Sequence, residues 1–344
     1  MIGGSGSSGT TLLSHLLNSH PSIYCGDELQ LLNKKSLYLS RFPFTESAFR
    51  ELLGQGVPTE LNSGVDALFT SICTKPVREC GFLLPLGRYG MTAEDVVKVA
   101  AESGSFKEFV DRFFQKVLAK AGKQRWAEKT PTNCFCIGEF LSLYPDGVYI
   151  HVVRDGRDAV PSLIKKGFSP PLSVAGWIAL TAAGLPYRRH ERFYQLKYED
   201  LVTDPEEALA RLMKFLRMEV DPQSLLERAV VEPVFKFVSP TWGAKPNEPI
   251  SQASIGKWKR PGYPYKSYLE HLFSSMILTE ELSRQWGLPD RTNGNVVLRE
   301  LGYEPSDGWD PSLGMDWQKI KLYVRARFCE MFHQRKSVFR FSLS

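Results

Sequence analysis

A chain of 344 residues is long enough for one large domain or two small ones, and 43% hydrophobic with 24% charged residues excludes a disordered or low-complexity protein. The formal net charge of +5 is a mild excess that favours anionic ligands and gives no indication of nucleic acid as a partner. The cysteines at 25, 73, 80, 134, 136 and 329 form no C-x-x-C pair, and no stretch approaches 18 consecutive apolar residues, so the expectation is a cytoplasmic protein with free thiols and no membrane span.

Gly3-Gly4-Ser5-Gly6-Ser7-Ser8-Gly9-Thr10-Thr11 comes first, followed by Leu12, Leu13, Leu16 and Leu17. The glycines permit a tight turn and the leucines open an amphipathic helix. The run therefore predicts a loop that aims backbone N–H groups at an anion in front of a helix N-terminus. Hydroxyls of Ser7, Ser8, Thr10 and Thr11 add donors, and a phosphate or a chemical relative of one is the expected ligand. Gly4 and Gly9 stand at the spacing of G-x-x-x-x-G-K-[ST], but the lysine position holds Thr10. Without that lysine the loop is poorly equipped to neutralise a transferring γ-phosphoryl group. The strand expected ahead of the loop is reduced to Met1 and Ile2, with no room for a signal peptide, as a trimmed or misassigned start would leave it.

His20 to Leu29 reads as a proline turn, a short β-type run and the paired acids Asp27 and Glu28, one short strand away from the loop. Residues 33–122 read as an irregular, partly helical insertion that caps the site and shapes an acceptor pocket. Its one clear helix runs from about Ser105 to Ala121 on Phe106, Phe109, Val110, Phe113, Val117 and Leu118. After Trp126-Ala127-Glu128-Lys129-Thr130-Pro131 comes a helix carrying Ile137, Phe140 and Leu141. The run from Val148 to Val153, apolar on both faces, predicts a central parallel strand that leads into Arg154-Asp155-Gly156-Arg157-Asp158 and another helix.

A helical stretch from Leu172 to Ala183 leads to a strand from Phe193 to Tyr198. Strand, polar turn and helix thus alternate, which predicts an α/β fold: a P-loop-like parallel sheet flanked by helices, with ligands gathered at the strand carboxyl ends. Thr203-Asp204-Pro205-Glu206-Glu207 caps a helix running to about Leu216. From Val230 to Tyr265 the chain turns irregular and basic, with Lys236, Lys245, Lys257, Lys259 and Arg260, a loop suited to fold over an anion. A helix from about Tyr268 to Trp286 precedes a polar tail containing Asn293-Gly294-Asn295. The segment from Trp317 to Phe332 is a basic amphipathic helix, either docked on its own domain or in peripheral contact with an anionic membrane surface. The expected organisation is one domain over residues 1–290 and a C-terminal extension over 291–344.

In this order the motifs resemble the PAPS-dependent sulfotransferases, with the greatest likeness to the tyrosylprotein sulfotransferase-like branch. The resemblance runs from Gly4 to Trp258 and rests on four motifs, any one of which alone would be weak. It implies the sulfotransferase fold, PAPS as donor with PAP as product, no metal, and a hydroxyl-bearing acceptor that is a small molecule, a glycan or a protein. The family's loop for the 5′-phosphosulfate corresponds to Gly4 through Thr11, which makes Gly6, Ser7, Ser8, Gly9, Thr10 and Thr11 donor-binding candidates. Its strand-turn-helix for the 3′-phosphate corresponds to Val153 through Ser162, where Arg154 and Ser162 match the two binding residues. Tyr198, in Lys197-Tyr198-Glu199-Asp200-Leu201, and Lys257, in Gly256-Lys257-Trp258, match two further parts of the nucleotide site.

A donor with a phosphosulfate at one end and a 3′-phosphate at the other requires two anion cradles at neighbouring strand ends, and Arg154 offers a planar fork for bidentate contact with the second. The sequence departs from the family at Ser7, where the family places arginine or lysine before its Ser-Gly-Thr-Thr run. Lys129 corresponds to a lysine that family members place beside the sulfuryl group, and its implied role is to neutralise the leaving phosphate. Glu28 matches the glutamate that acts as base in the tyrosylprotein branch. Asp27 is its rival, and either also reads as a structural acid paired with a lysine.

The cytosolic branch uses a histidine after a Lys-Thr pair, a position held here by Pro131. His15, His20 and His151 fall on the first helix, the following turn and the central strand, and read as structural. The implied reaction is in-line transfer of a sulfuryl group from PAPS to a hydroxyl. Two other readings compete: a PAP or PAPS binder without turnover, motivated by Ser7, and a P-loop small-molecule kinase. The kinase is weakened by Thr10 and by the lack of an obvious Mg-binding acid after the second strand.

Overall fold

The computed structural model describes residues 1–32, 42–54, 86–166, 168–231, 250–261, 263, 266–305 and 339–341. Its centre is a five-stranded sheet of β1 (Ile2–Gly4), β2 (Ile23–Asp27), β3 (Arg125–Lys129), β4 (Tyr149–Val153) and β5 (Phe193–Lys197), in the order β2-β3-β1-β4-β5. Every pairing is parallel, so all five carboxyl ends lie along one edge. The expected parallel α/β sheet is therefore present. β3 is the strand that the sequence conceals, because Arg125, Glu128 and Lys129 interrupt the apolar run around Trp126 and Ala127.

Side-chain alternation along β4 sends neighbours to opposite faces: Tyr149 joins one apolar cluster, Ile150 and Val152 another. On the second face lie α1 (Thr10–Asn18) and α9 (Pro205–Leu216), where Leu13, Leu16 and Leu17 meet Leu209 and Leu212. Burial of each of these leucines stabilises the fold by about 1.5–3 kcal/mol. The terminus of α9 follows the sequence reading closely. Pro205 opens the helix and the Asp204 carboxylate accepts from the backbone N–H of Glu207.

The first face is covered by the helices of the inserted region. These are α2 (Glu46–Gly54), α3 (Ala93–Ala101) and α4 (Phe106–Ala121), the last capped by Ser105 as its sequence pattern predicts. α3 was not anticipated, although Thr92 and Asp95 form a complete capping box at its start. Further along lie α5 (Ile137–Leu143), α6 (Gly156–Lys165), α7 (Pro170–Ala182), α8 (Tyr198–Thr203) and α10 (Pro222–Val231).

The helix expected from Tyr268 to Trp286 is broken. α11 (Lys266–Ser275) ends at β6 (Met276–Leu278), and Thr279 caps a separate α12 (Glu280–Gln285). β6 pairs antiparallel with β7 (Phe339–Phe341), a distant partnership that local periodicity cannot announce. Asn293 is no part of a polar tail either: it caps α13 (Gly294–Glu300), whose Val297 and Leu298 are fully buried. The basic segment 317–332, and Lys236 and Lys245, lie outside the described residues. Among the described residues no helix is long and apolar enough to cross a membrane.

Candidate functional site

Each strand of the sheet delivers one of the residues singled out in the sequence. Glu28 follows β2, Lys129 ends β3, the glycine loop follows β1, Arg154 follows β4 and Tyr198 follows β5. In open parallel sheets ligands bind at this edge.

The loop is held in shape by its own hydroxyls and by its neighbours. Ser5 and Ser8 are buried and share a hydrogen bond between their side chains. Gly9 has φ of 92°, and a Cβ there would lie 2.5 Å from the Tyr198 ring, so glycine is required both for the left-handed turn and for the close approach. No side chain caps α1, which leaves its N-terminal N–H groups directed at the loop's concavity. Thr10 is buried at the first turn, and Gly6, Ser7, Gly9 and Thr11 are half-buried. Ser7 adopts φ of 62°, an unusual conformation for a residue with a side chain.

Arg154 fixes that conformation. Its Nη1 donates to the Ser7 carbonyl at 2.8 Å and its Nη2 to the Ser254 carbonyl at 2.8 Å, while the guanidinium lies 4.3 Å from the centre of the Tyr198 ring. The fork expected to meet an anion with both terminal nitrogens thus already spans two loops. What it keeps is Nε, buried and without a hydrogen bond among the described residues. Tyr198 completes the link, its hydroxyl 3.0 Å from the Ser254 hydroxyl.

The rest of Arg154-Asp155-Gly156-Arg157-Asp158 docks a second loop. Asp155 accepts from the backbone N–H of Arg157 and pairs with its guanidinium at 2.7 Å, and Arg157 in turn lies 3.5 Å from the centre of the Trp258 ring. Asp158 accepts from the N–H groups of Gly256 at 2.6 Å and Trp258 at 3.1 Å. Burial raises the Asp158 pKa above the ordinary aspartate value and these two N–H groups oppose the rise. Lys257, between them, has its pKa lowered by burial and by the charges of Arg154, Lys165 and Arg260. Ser162 lies half-buried on α6, two turns along from Arg154.

On the other side of the loop, Lys129 has its side chain only 2% exposed, and its Nζ lies 3.3 Å from Glu28 Oε1. Glu28 sits at φ of 61° in a turn organised by Glu128, a fully buried carboxylate that accepts from Leu29 N, Thr130 Oγ1 and Asn133 Nδ2. The backbone N–H of Glu28 itself donates to the Lys129 carbonyl at 2.7 Å. Asp27 ends β2 in register with Lys129.

Sequence reasoning did not single out Glu128, Ser254 or, above all, Lys166. Its Nζ donates to Ser7 Oγ at 3.1 Å. Only the Lys165-Lys166 pair at the end of a helical pattern pointed to it, and such pairs usually read as solvated charge.

A ligand with two anionic ends fits this set. The uncapped α1 terminus and Lys166 lie at the glycine loop, with Lys129 beside Glu28, and Arg154 keeps a buried Nε.

Over 130 residues the chain is 32% identical to the omega-hydroxy-beta-dihydromenaquinone-9 sulfotransferase of Mycobacterium tuberculosis, a match covering 32% of this chain and 33% of that protein. It is 25% identical over 228 residues to a protein-tyrosine sulfotransferase of Drosophila melanogaster, covering 62% of this chain and 37% of that one. The matched region thus spans about a third of the length of each of these relatives. Among solved structures, the sulfotransferase domain of the Synechococcus PCC 7002 olefin synthase superposes with a TM-score of 0.52 at 20% identity, covering 76% of this chain and 87% of that one, which shows a shared fold. The family model for sulfotransferases matches residues 1–222, a span that takes in the glycine loop, Glu28, Lys129, Arg154 and Tyr198. On that match, which covers more than half of its length, the chain belongs to the sulfotransferase family.

Proposed function

We propose that this protein transfers a sulfuryl group from PAPS to a hydroxyl acceptor by in-line displacement. The observation that supports it most directly is the Arg154 fork, which joins the loop at the end of β1 to the loop at Ser254 and keeps a buried Nε without a hydrogen bond among the described residues. PAPS, when bound, supplies the sulfuryl group on a phosphosulfate anhydride.

On this reading Gly6, Ser7, Ser8, Gly9, Thr10 and Thr11 hold the phosphosulfate end through backbone N–H groups and hydroxyls. Arg154, Ser162, Tyr198 and Lys257 hold the 3′-phosphate end. Glu28 takes the acceptor proton as the acceptor oxygen bonds to sulfur, and the electron pair of the broken sulfur–oxygen bond leaves on the 5′-phosphate of PAP. Lys129 neutralises the charge collecting there, and before reaction it orients Glu28 by contact at 3.3 Å.

The relatives named above are, by their names, sulfotransferases of a hydroxylated menaquinone derivative and of protein tyrosine. The class common to both acceptors is a hydroxyl, and that class is proposed here. Residues 1–290 form the catalytic unit of this proposal, with 33–122 over the acceptor side and 291–344 as an extension.

Calorimetric titration with PAP and, separately, ATP tests the reading. Micromolar or tighter PAP binding that disappears in Arg154→Ala is expected. ATP binding indifferent to Arg154→Ala would replace the proposal with the kinase reading. PAP binding with no sulfuryl transfer to any hydroxyl acceptor would reduce the protein to a binder.

A further inference from the structure

α6 reaches the glycine loop from both of its ends. Arg154, just before it, donates to the Ser7 carbonyl, and Lys166, just after it, donates to the Ser7 hydroxyl. The helix can do this because it lies against the loop: Leu163 Cδ2 is 2.8 Å from the place a Cβ on Gly6 would take. Ser7, fixed at φ of 62° by the Arg154 bond, directs its hydroxyl to the lysine.

The surroundings of Lys166 are crowded with charge of its own sign. Burial lowers the pKa of its ammonium below the ordinary lysine value, the charges of Lys129 and Arg154 lower it further, and Glu28 acts in the opposite sense. Lys129, Arg154 and Lys166 thus lie close enough at this loop for their charges to act on one another, with Glu28 beside Lys129. Cations gathered at one loop mouth away from water favour an anion among them. A solvated helix-end lysine would have turned to water, whereas this one turns inward to Ser7.

Resting on the donor assignment made above, we propose that Lys166 supplies the cationic contact to the phosphosulfate end of PAPS, from the end of α6, in place of a basic side chain at position 7. The loop then keeps its charge complement while the cation comes from a different element. Ser7 serves as the positioning residue, and Lys166 touches the phosphate from which the sulfuryl group departs.

The experiment compares wild type with Lys166→Met, Lys166→Arg and the double variant Ser7→Arg/Lys166→Met, by calorimetry with PAP and with adenosine 3′-phosphate, which lacks the 5′-phosphate. Lys166→Met is expected to weaken PAP by about tenfold or more and leave adenosine 3′-phosphate within about twofold. Lys166→Arg retains most of the PAP affinity, and Ser7→Arg/Lys166→Met recovers it. The slope of log affinity against log salt for PAP flattens in Lys166→Met. Equal PAP affinity in wild type and Lys166→Met, or equal weakening of both nucleotides, overturns the proposal, the second result marking a merely structural lysine. Loss of PAP binding in Arg154→Ala alongside an indifferent Lys166→Met would leave the donor assignment standing while removing Lys166 from it. A wild-type chain that binds no PAP overturns the donor assignment and this proposal together.

Discussion

The guanidinium of Arg154 and the backbone carbonyl of Ser7 meet at 2.8 Å, so the residue leaving β4 holds the shape of the loop leaving β1. The same side chain reaches Ser254 and covers the Tyr198 ring, which makes it a joint between three segments distant in sequence. Arg154→Lys removes the planar fork and cannot reproduce both bonds from one ammonium. Expected is a loss of about 1–3 kcal/mol in stability by denaturant titration, together with about 10- to 100-fold weaker PAP binding by calorimetry. PAP affinity unchanged by this substitution would show that Arg154 is a joint and nothing more.

Asp158 holds the Gly256–Trp258 turn with both carboxylate oxygens, one for each N–H. Asn at this position presents only one acceptor oxygen and turns an NH2 toward a donor. Asp158→Asn is therefore expected to free the turn, shown by faster amide exchange at 256–258 and about tenfold weaker PAP binding through misplacement of Lys257. Trp258→Ala should produce a smaller version of the same change, since it removes the Arg157 stack but leaves both N–H bonds possible.

Glu128 is fully buried, and its carboxylate carries the turn that places Glu28. Glu128→Gln preserves size but sets an NH2 group against Leu29 N, Thr130 Oγ1 or Asn133 Nδ2. About 1–3 kcal/mol of stability is expected to be lost, and kcat to fall by about 10- to 100-fold while PAP affinity stays within about threefold. A parallel fall in PAP affinity would show that the turn supports the donor site instead.

His151, fully buried in β4, gives the fold a pH dependence. Burial, only partly offset by the Leu180 backbone, lowers its pKa from 6.5 to about 4. The unfolded chain takes up a proton near 6.5 where the folded chain does not. Stability from this residue is therefore complete above pH 6.5 and declines as pH falls toward 4, by up to about 3 kcal/mol. Denaturant titrations between pH 7 and 4 should show this slope, and His151→Met should flatten it. An unchanged slope in the variant would assign the acid sensitivity to other groups.

The elements legible in the sequence are those whose signals are local. Ser105 ahead of a phenylalanine-patterned helix, Pro205 behind Asp204, and the doubly apolar run ending at Val153 each carry their own instruction. The glycine loop was legible for the same reason, since its turn and its helix are written side by side. What was hidden depends on distant partners. Met276-Ile277-Leu278 continues a helical apolar pattern and becomes a strand against the distant Phe339–Phe341. Lys166 looks like a solvated helix end until α6 is packed on Gly6, and Glu128 looks like an ordinary strand acid until Leu29, Thr130 and Asn133 close around it.

The strand order also divides labour across the sheet. β2, which leads to Glu28, lies at one edge and β5, which leads to Tyr198, at the other, about 19 Å apart across four strand spacings. The helices of the inserted region rest on the β2 side, with Tyr24 and Tyr89 among their contacts, whereas the Ser254 loop closes on the β5 side. On the proposed function, substitutions in the inserted region therefore act near Glu28 and leave the contacts of Arg154 in place. The donor grip and the acceptor pocket of that function then occupy opposite edges of one sheet, so that a change in the acceptor leaves the donor site intact.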